Sequence, residues 1–172
     1  MKTVLITGAA SGLGWALSQQ AFSLGHRVIM TDMNALLLAA RADALASQDP
    51  SRVSFHRLDV TDSEAITALV ALLKEKEGGL DVLINNAGIT HRSLADKTDI
   101  AVFRKVMAVD WQAPVEMAVA CLPLLKRSGG GIINIGSMAA LMQAPGMSNY
   151  NVAKAGVVAL SESLMAELFF FF

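Results

Sequence analysis

Tyr150 and Lys154 are the pair of side chains in this sequence best suited to acid–base chemistry. Residues i and i+4 lie on one face of a helix, so the Lys154 ammonium can stand near the Tyr150 hydroxyl. A neighbouring cation favours the phenolate over the neutral phenol. Tyr150, the only tyrosine in the chain, is therefore predicted to act as a general acid or base between an alcohol and a ketone. The alternative is a tyrosine packed at a helix start beside a solvated lysine.

A glycine-rich loop lies between the first predicted strand and the first predicted helix. Gly8 allows a sharp turn off the strand, Gly12 lets backbone N–H groups approach a pyrophosphate, and Gly14 allows close helix packing. Phosphates then lie at the helix N-terminus, where unpaired N–H groups and the helix dipole favour negative charge. The alternative is a flexible loop of the kind found in any α/β protein. The predicted cofactor-binding residues of this loop are Gly8, Ser11, Gly12, Leu13 and Gly14.

Asp32 ends the second predicted strand. A carboxylate at this position can accept hydrogen bonds from the adenosine ribose hydroxyls and repels a 2′-phosphate. The sequence therefore predicts NAD, rather than NADP, as the cofactor. The alternative role is a helix N-cap. Because Asn34 also precedes the next helix, one of these two residues can cap the helix while the other binds the ribose.

Small and polar residues follow the third, fourth and fifth predicted strands. In open α/β sheets, ligands bind at the carboxyl ends of the strands. The pair after the third strand is placed to meet an adenine, and the other segments complete a cofactor crevice. The residues assigned to this crevice are Asp59, Val60, Asn86, Ala87, Gly88 and Ser137.

The elements that must position these residues alternate along the chain as short β-branched runs and longer helical patterns. This alternation is typical of an α/β fold with a Rossmann-type, doubly wound parallel sheet, here of about five strands in the order 3-2-1-4-5. With no linker or repeat, residues 1–172 are predicted to form one dinucleotide-binding domain. The predicted strands are Thr3–Thr7, Arg27–Thr31, Val53–Leu58, Leu80–Asn85 and Gly131–Ile135, and the predicted helices are Gly12–Leu24, Asn34–Ser47, Asp62–Lys76, Asp99–Lys126 and Asn149 onward.

Composition excludes several classes of protein. Apolar residues make up 53% of the chain and charged residues 17%, which argues against disorder and suits a sheet covered on both faces. The net charge is −1, and there are no runs of Lys or Arg, so no nucleic-acid partner is predicted. No stretch approaches the roughly 18 apolar residues of a membrane span, so no membrane partner is predicted either.

Cys121 is the single cysteine of the chain, which excludes an internal disulfide. It lies in an apolar stretch, so we expect a buried structural thiol and a cytoplasmic protein. The three histidines show no metal-ligand spacing with Cys121 or with carboxylates, and no metal is predicted. His91 and Arg92 could touch a substrate, but a solvated loop is the favoured interpretation.

Taken in order and spacing, these motifs resemble the short-chain dehydrogenase/reductase family. The resemblance extends to about Leu168 and implies hydride transfer between a nicotinamide and a secondary alcohol or ketone. It implies that Tyr150 exchanges a proton with the substrate oxygen and that Ser137 hydrogen-bonds that oxygen. It also implies that Lys154 holds the nicotinamide ribose. The motifs that carry the resemblance are Thr7–Gly14, Asn85–Gly88, Ser137 and Tyr150-x-x-x-Lys154.

Two further features of the family bear on this chain. The resemblance implies that Asn86 stabilises the central strand and lines the cofactor site. Asp110 stands where the family usually carries an asparagine that holds a water in the proton relay. Asp110 is therefore counted as a candidate catalytic residue, with a charge that the asparagine lacks.

The resemblance also implies segments beyond the Tyr/Lys helix: a strand, a Pro-Gly segment, a substrate loop and a final strand. We therefore expect a domain that is incomplete at its C-terminus, with the adenine half intact, the nicotinamide side open and a sheet edge exposed. The phenylalanine run Phe169–Phe172 is interpreted as a truncation artefact or frame error rather than a contact surface.

Three functions follow as alternatives. The first is an NAD(H)-dependent oxidoreductase acting on a small alcohol or ketone. The second is a non-catalytic dinucleotide-binding fragment or sensor, and the third is a remnant that only assembles. Because the long helix and the Tyr/Lys helix form the dimer interface in the family, the resemblance implies a homodimer or homotetramer.

Overall fold

The computed structural model describes residues 1–168 and contains one parallel sheet. Its strand order is β3-β2-β1-β4-β5, with all four pairings parallel, which confirms the predicted order. Because the strands are parallel, their carboxyl ends all lie at the same end of the sheet. The strands are β1 (Thr3–Thr7), β2 (Arg27–Asp32), β3 (Val53–Arg57), β4 (Val82–Asn85) and β5 (Gly131–Asn134).

Helices cover both faces of this sheet. Leu5 and Ile6 are neighbours on β1 and both are fully buried, but they belong to two different cores. Successive side chains on a strand point to opposite faces, so a strand with both faces covered is apolar throughout. One core joins the sheet to α3 and α5, and the other joins it to α1 and α2. The helices are α1 (Gly12–Ser23), α2 (Ala35–Ala46), α3 (Ser63–Glu75), α4 (Ile100–Met107), α5 (Ala113–Ser128) and α6 (Ser148–Leu168).

Three helices begin one residue later than the sequence predicted, because the predicted first residue is the N-cap. The side chain of Asn34 accepts the Leu37 N–H, and the side chain of Asp62 accepts the Ala65 N–H. Asp99 caps α4 in the same way through Ala101. Such caps satisfy N–H groups that have no partner within the helix.

The long helical region predicted over 99–126 is confirmed, since the chain is helical without a break from Ile100 to Ser128, but it is not α-helical throughout. It is divided into α4, a π-helical segment over Ala108–Gln112 (the π segment) and α5. Pro114 lies at the start of α5 and has no backbone N–H, so an uninterrupted α-helical ladder cannot run through this point. Pro123 lies inside α5, in the last turns before this helix ends at Ser128.

Cys121 is fully buried in the α5 core, as the sequence predicted for a structural thiol. Burial raises the pKa of the Cys121 thiol to about 12, which keeps it protonated and unreactive. Among residues 1–168, no helix is long and apolar enough to cross a membrane.

The far side of β5 has no partner strand within residues 1–168, where β5 pairs with β4. An apolar cavity of about 500 Å³ lies along this edge, between β5, the end of α5 and α6. The exposed sheet edge expected from the sequence is thus present in the described part of the chain. The phenylalanine run Phe169–Phe172 lies outside the described residues.

Candidate active site

A groove of about 610 Å³ runs along the carboxyl ends of the strands. Its floor comes from the loops that follow β1, β2, β3 and β4, and its far wall comes from α4 and the π segment. Ten residues assigned to the cofactor from the sequence line it together. These residues are Gly8, Ser11, Gly12, Leu13, Asp32, Asp59, Val60, Asn86, Ala87 and Gly88.

The wall on α4 was missed by reasoning from the sequence. Lys105, Ala108 and Val109 line the groove at the spacing of one helix face, i, i+3 and i+4. That spacing was visible in the sequence. The sequence alone did not show that this helix face lines the groove, because that depends on how α4 packs in the fold.

The glycine loop fits a phosphate group for two reasons. Gly8 and Gly12 have φ values of +65° and +52°, which favour glycine over other residues. Gly14 is needed for packing, because a Cβ there would overlap the Gly8 carbonyl and the Asn86 side chain. The Ser11 side chain makes no capping bond to the first turn of α1, so that turn's N–H groups are available to an anion.

The end of β1 is tied to the end of β4 by Thr7 and Asn86. The Thr7 hydroxyl oxygen accepts the backbone N–H groups of Asn86 and Ala87, both at 3.0 Å. The Asn86 side chain donates in return to the carbonyls of Thr7, at 2.9 Å, and Gly8, at 3.3 Å. Thr7 belongs to the predicted motif, but its positioning role was not predicted from the sequence.

Asp32 is held at the edge of the groove by two backbone donors. Its carboxylate accepts the Ala10 N–H at 3.1 Å and the Asn34 N–H at 2.9 Å. Because Asn34 caps α2, the alternative role of Asp32 as that helix cap is not realised. The remaining lone pairs of the Asp32 oxygens are available to hydroxyl donors.

Asp59, in the loop after β3, is anchored by Thr61. One carboxylate oxygen accepts the Thr61 N–H at 3.0 Å and the Thr61 hydroxyl at 2.7 Å. The backbone N–H and the hydroxyl of Thr61 hold the pKa of Asp59 below its usual value. Two carboxylates, those of Asp32 and Asp59, therefore line this groove.

Lys154 is brought to Tyr150 as the helical spacing predicted. The Lys154 ammonium lies 5.7 Å from the centre of the Tyr150 ring and donates to the Ile135 carbonyl at 3.1 Å. Lys154 is only 5% exposed, so it is not a solvated surface lysine. A Cβ on Gly88 would lie 3.6 Å from the Lys154 nitrogen, which places the Lys154 ammonium beside the groove.

Asp110 is fully buried in the π segment. One carboxylate oxygen accepts the Ile89 N–H at 2.7 Å, and the other lies 3.6 Å from the Lys154 ammonium. Burial raises the pKa of Asp110 above its usual value, while the Ile89 N–H and the Lys154 ammonium act to lower it. Asp110 thus connects the loop after β4 with the lysine on α6.

Ser137 follows β5 after Ile135 and Gly136, and it caps a short 3₁₀ turn. Its hydroxyl oxygen accepts the Ala139 N–H at 3.1 Å, and the turn packs against α6. Ser137 and Tyr150 therefore lie on two elements that pack against each other. Within residues 1–168 there is no cluster of three or more His, Cys, Asp or Glu side chains that could hold a metal ion.

The groove fits a nicotinamide dinucleotide on these observations. It offers an open helix N-terminus for a pyrophosphate, a fixed carboxylate for a ribose and a buried lysine near its other end. The absence of a Cβ at Gly8 and Gly14 allows the loop to lie close against the Asn86 segment.

Comparisons with known proteins agree with this geometry. The chain is 35% identical over 170 residues to 2-(R)-hydroxypropyl-CoM dehydrogenase of Xanthobacter autotrophicus, covering 96% of this chain and 68% of that protein. It superimposes on a short-chain dehydrogenase/reductase from Burkholderia phymatum, in complex with NAD, with a TM-score of 0.93 and 29% identity, covering 97% and 60% of the two chains. An alcohol dehydrogenase from Thermococcus sibiricus, complexed with 5-hydroxy-NADP, gives a TM-score of 0.93 at 25% identity, covering 97% and 71%.

The chain thus spans between 60% and 71% of the length of these proteins. The family model described as short chain dehydrogenase matches residues 2–169. From its sheet order, its glycine loop and this match over nearly its whole length, the chain belongs to the short-chain dehydrogenase family.

Proposed function

We propose that residues 1–172 form one dinucleotide-binding unit of an NAD(H)-dependent oxidoreductase that acts on a small secondary alcohol or ketone. The observation that carries the proposal is the buried Lys154 ammonium beside Tyr150 and Gly88, next to a groove built for a dinucleotide. A cation held next to a phenol has a direct use in proton transfer.

The adenine half of the cofactor is assigned to the loops after β1, β2 and β3. The pyrophosphate lies at the N-terminus of α1 against Ser11, Gly12 and Leu13, because that turn's N–H groups are open. Asp32 accepts the ribose hydroxyls, and its charge favours NAD over NADP. Asp59 and Val60 contact the adenine.

The reacting half is assigned to β4, β5 and α6. When bound, the nicotinamide supplies or accepts the hydride at its C4 carbon. Tyr150 takes the proton from the alcohol hydroxyl in oxidation and returns it to the carbonyl oxygen in reduction. Ser137 donates a hydrogen bond to that oxygen, and Lys154 favours the phenolate and holds the nicotinamide ribose. Asn86, Ala87 and Gly88 line this end.

The proposal also covers the oligomeric state of the protein and its cellular compartment. We assign the homodimer or homotetramer interface to the long helical region from α4 to α5 and to α6, by resemblance to the family. A cytoplasmic location is supported by the buried, protonated Cys121 thiol, which suits a reducing compartment.

Turnover is the direct test of this function. The purified chain is incubated with NAD and a panel of secondary alcohols, and NADH formation is followed by its absorbance. NADH formation that depends on one or more alcohols supports the oxidoreductase. Nucleotide binding without turnover would instead support the non-catalytic fragment, and self-association without nucleotide binding would support the assembly-only remnant.

Cofactor choice is tested by the Asp32→Ser variant. Serine keeps a polar side chain at the end of β2 but removes the charge that repels a 2′-phosphate. We expect the ratio of NADPH to NADH affinity to rise about tenfold, the equivalent of about 1.4 kcal/mol. Fluorescence titration of both nucleotides measures the ratio. Asp43→Ser, at an exposed position on α2, is the matched control, and an unchanged ratio in Asp32→Ser would refute the assignment.

A further inference from the structure

Asp110 and Lys154 form a buried pair of opposite charges next to the proposed acid–base tyrosine. Asp110 is 0% exposed and Lys154 is 5% exposed. The Asp110 Oδ2 atom lies 3.6 Å from the Lys154 Nζ atom and has no hydrogen-bond partner within residues 1–168. The other Asp110 oxygen is already used by the Ile89 N–H.

The packing of the π segment on α6 accounts for this closeness. A Cβ on Gly156 would overlap the Trp111 indole ring, so the absence of a side chain there lets Trp111 lie directly against α6. Asp110 precedes Trp111, and Lys154 lies two residues before Gly156. The same contact therefore brings the carboxylate and the ammonium together.

An unpaired carboxylate in such a place would be strongly unfavourable. Burial raises the pKa of Asp110, and the Ile89 N–H and the Lys154 ammonium oppose that rise. Lys154 also needs a counter-charge, because its other bond is to the neutral Ile135 carbonyl. Each residue thus compensates the burial of the other.

We propose that Asp110 is the counter-charge of Lys154 and thereby limits how strongly Lys154 favours the Tyr150 phenolate. The consequence for catalysis rests on the proposed function of Tyr150. Asp110 is a positioning residue in this proposal, since it acts through Lys154 and through the loop held by Ile89. An asparagine at this place would keep the contact with Ile89 but leave the lysine charge uncompensated.

Other charged groups lie on the elements around this pair, and they are the same in the wild type and in the variant tested below. Arg92 lies in the loop after β4, the loop that Asp110 holds through the Ile89 N–H. Arg104 and Lys105 are exposed on α4, which packs against α6. These cations act equally on the wild type and on a variant at position 110.

The test uses the fact that Tyr150 is the only tyrosine of the chain. Phenolate formation changes ultraviolet absorbance, so a pH titration reports on Tyr150 without cofactor, substrate or turnover. We expect Asp110→Asn to shift the titration to lower pH, with a phenolate-to-phenol ratio about tenfold higher at a fixed pH below the midpoint. Asp96→Asn, which removes an exposed carboxylate (68% side-chain exposure), is the control and should titrate like wild type.

An unchanged titration of Asp110→Asn, or a shift to higher pH, would overturn the proposal. A stability cycle tests the pairing independently. Lys154→Met should lower the midpoint of chemical unfolding by leaving Asp110 unpaired, and adding Asp110→Asn should recover most of that loss. No recovery would also overturn the proposal. Because neither measurement needs nucleotide or turnover, a failed oxidoreductase assignment would remain distinguishable from a failed pairing.

Discussion

The Tyr150→Phe variant is expected to lose about 10²- to 10⁴-fold in kcat, the usual contribution of a general acid or base. The change removes only the hydroxyl, so the ring keeps its place 5.7 Å from the Lys154 ammonium. Affinity for NADH should fall by no more than about tenfold, because at most one hydrogen bond to the cofactor is lost. Initial rates of NADH formation, with an alcohol identified from the panel, give kcat, and a fluorescence titration gives the affinity.

The matched control for this variant is Thr67→Val, which deletes a hydroxyl on the exposed face of α3. That hydroxyl donates to the Ser63 carbonyl within α3, and neither residue lines the groove. The control should keep both kcat and NADH affinity. A Tyr150→Phe variant that retains more than about a tenth of kcat would show that another group transfers the proton.

The Gly14→Ala variant is expected to lose NADH affinity by about 100-fold and to unfold at lower denaturant concentration. A Cβ at this position would overlap the Gly8 carbonyl and the Asn86 side chain, so the glycine loop and the loop after β4 must move apart. Overpacking of this kind costs about 1–3 kcal/mol. Since both displaced segments line the groove, binding should suffer together with stability.

Gly131→Ala is the control for Gly14→Ala. A Cβ at Gly131 would meet no atom within 4 Å, and its φ is not in the left-handed region. This control should bind NADH and unfold as the wild type does. Wild-type NADH affinity in Gly14→Ala would contradict the placement of the pyrophosphate against the glycine loop.

Much of the fold could be predicted from local patterns in the sequence. The strands are short apolar runs, as in Val4–Ile6, because both faces of the parallel sheet are covered. Asn34 and Asp62 indicated where α2 and α3 begin, because a capping side chain precedes the first turn of a helix. The order of the strands followed from the alternation of strands and helices together with the handedness of the crossovers.

The features that escaped prediction depend on contacts between distant segments. The π segment between α4 and α5 was not predicted, because it depends on how Pro114 interrupts the backbone hydrogen bonds of the helix. The role of Thr7 required β4 to be its neighbour. The approach of Asp110 to Lys154 required the contact between Trp111 and Gly156, which no local pattern encodes.

The residues of the site also fall into a group that local patterns predicted and a group that they did not. The ten groove residues predicted from strand ends and the glycine loop share one groove, because parallel strands deliver their carboxyl ends to one edge. The rest of the groove wall comes from Lys105, Ala108 and Val109 on α4 and the π segment. These residues were not predicted, because the prediction considered only residues at strand ends and in the glycine loop.

The most direct test of the central proposal is a fluorescence titration of the purified chain with NADH and, separately, with NADPH. We predict saturable binding of both or of NADH alone, with the tighter binding to NADH, because Asp32 and Asp59 disfavour an additional phosphate at the adenine end. Binding of neither nucleotide would contradict the proposed dinucleotide groove. Tighter binding of NADPH would contradict the role of Asp32 in choosing the cofactor.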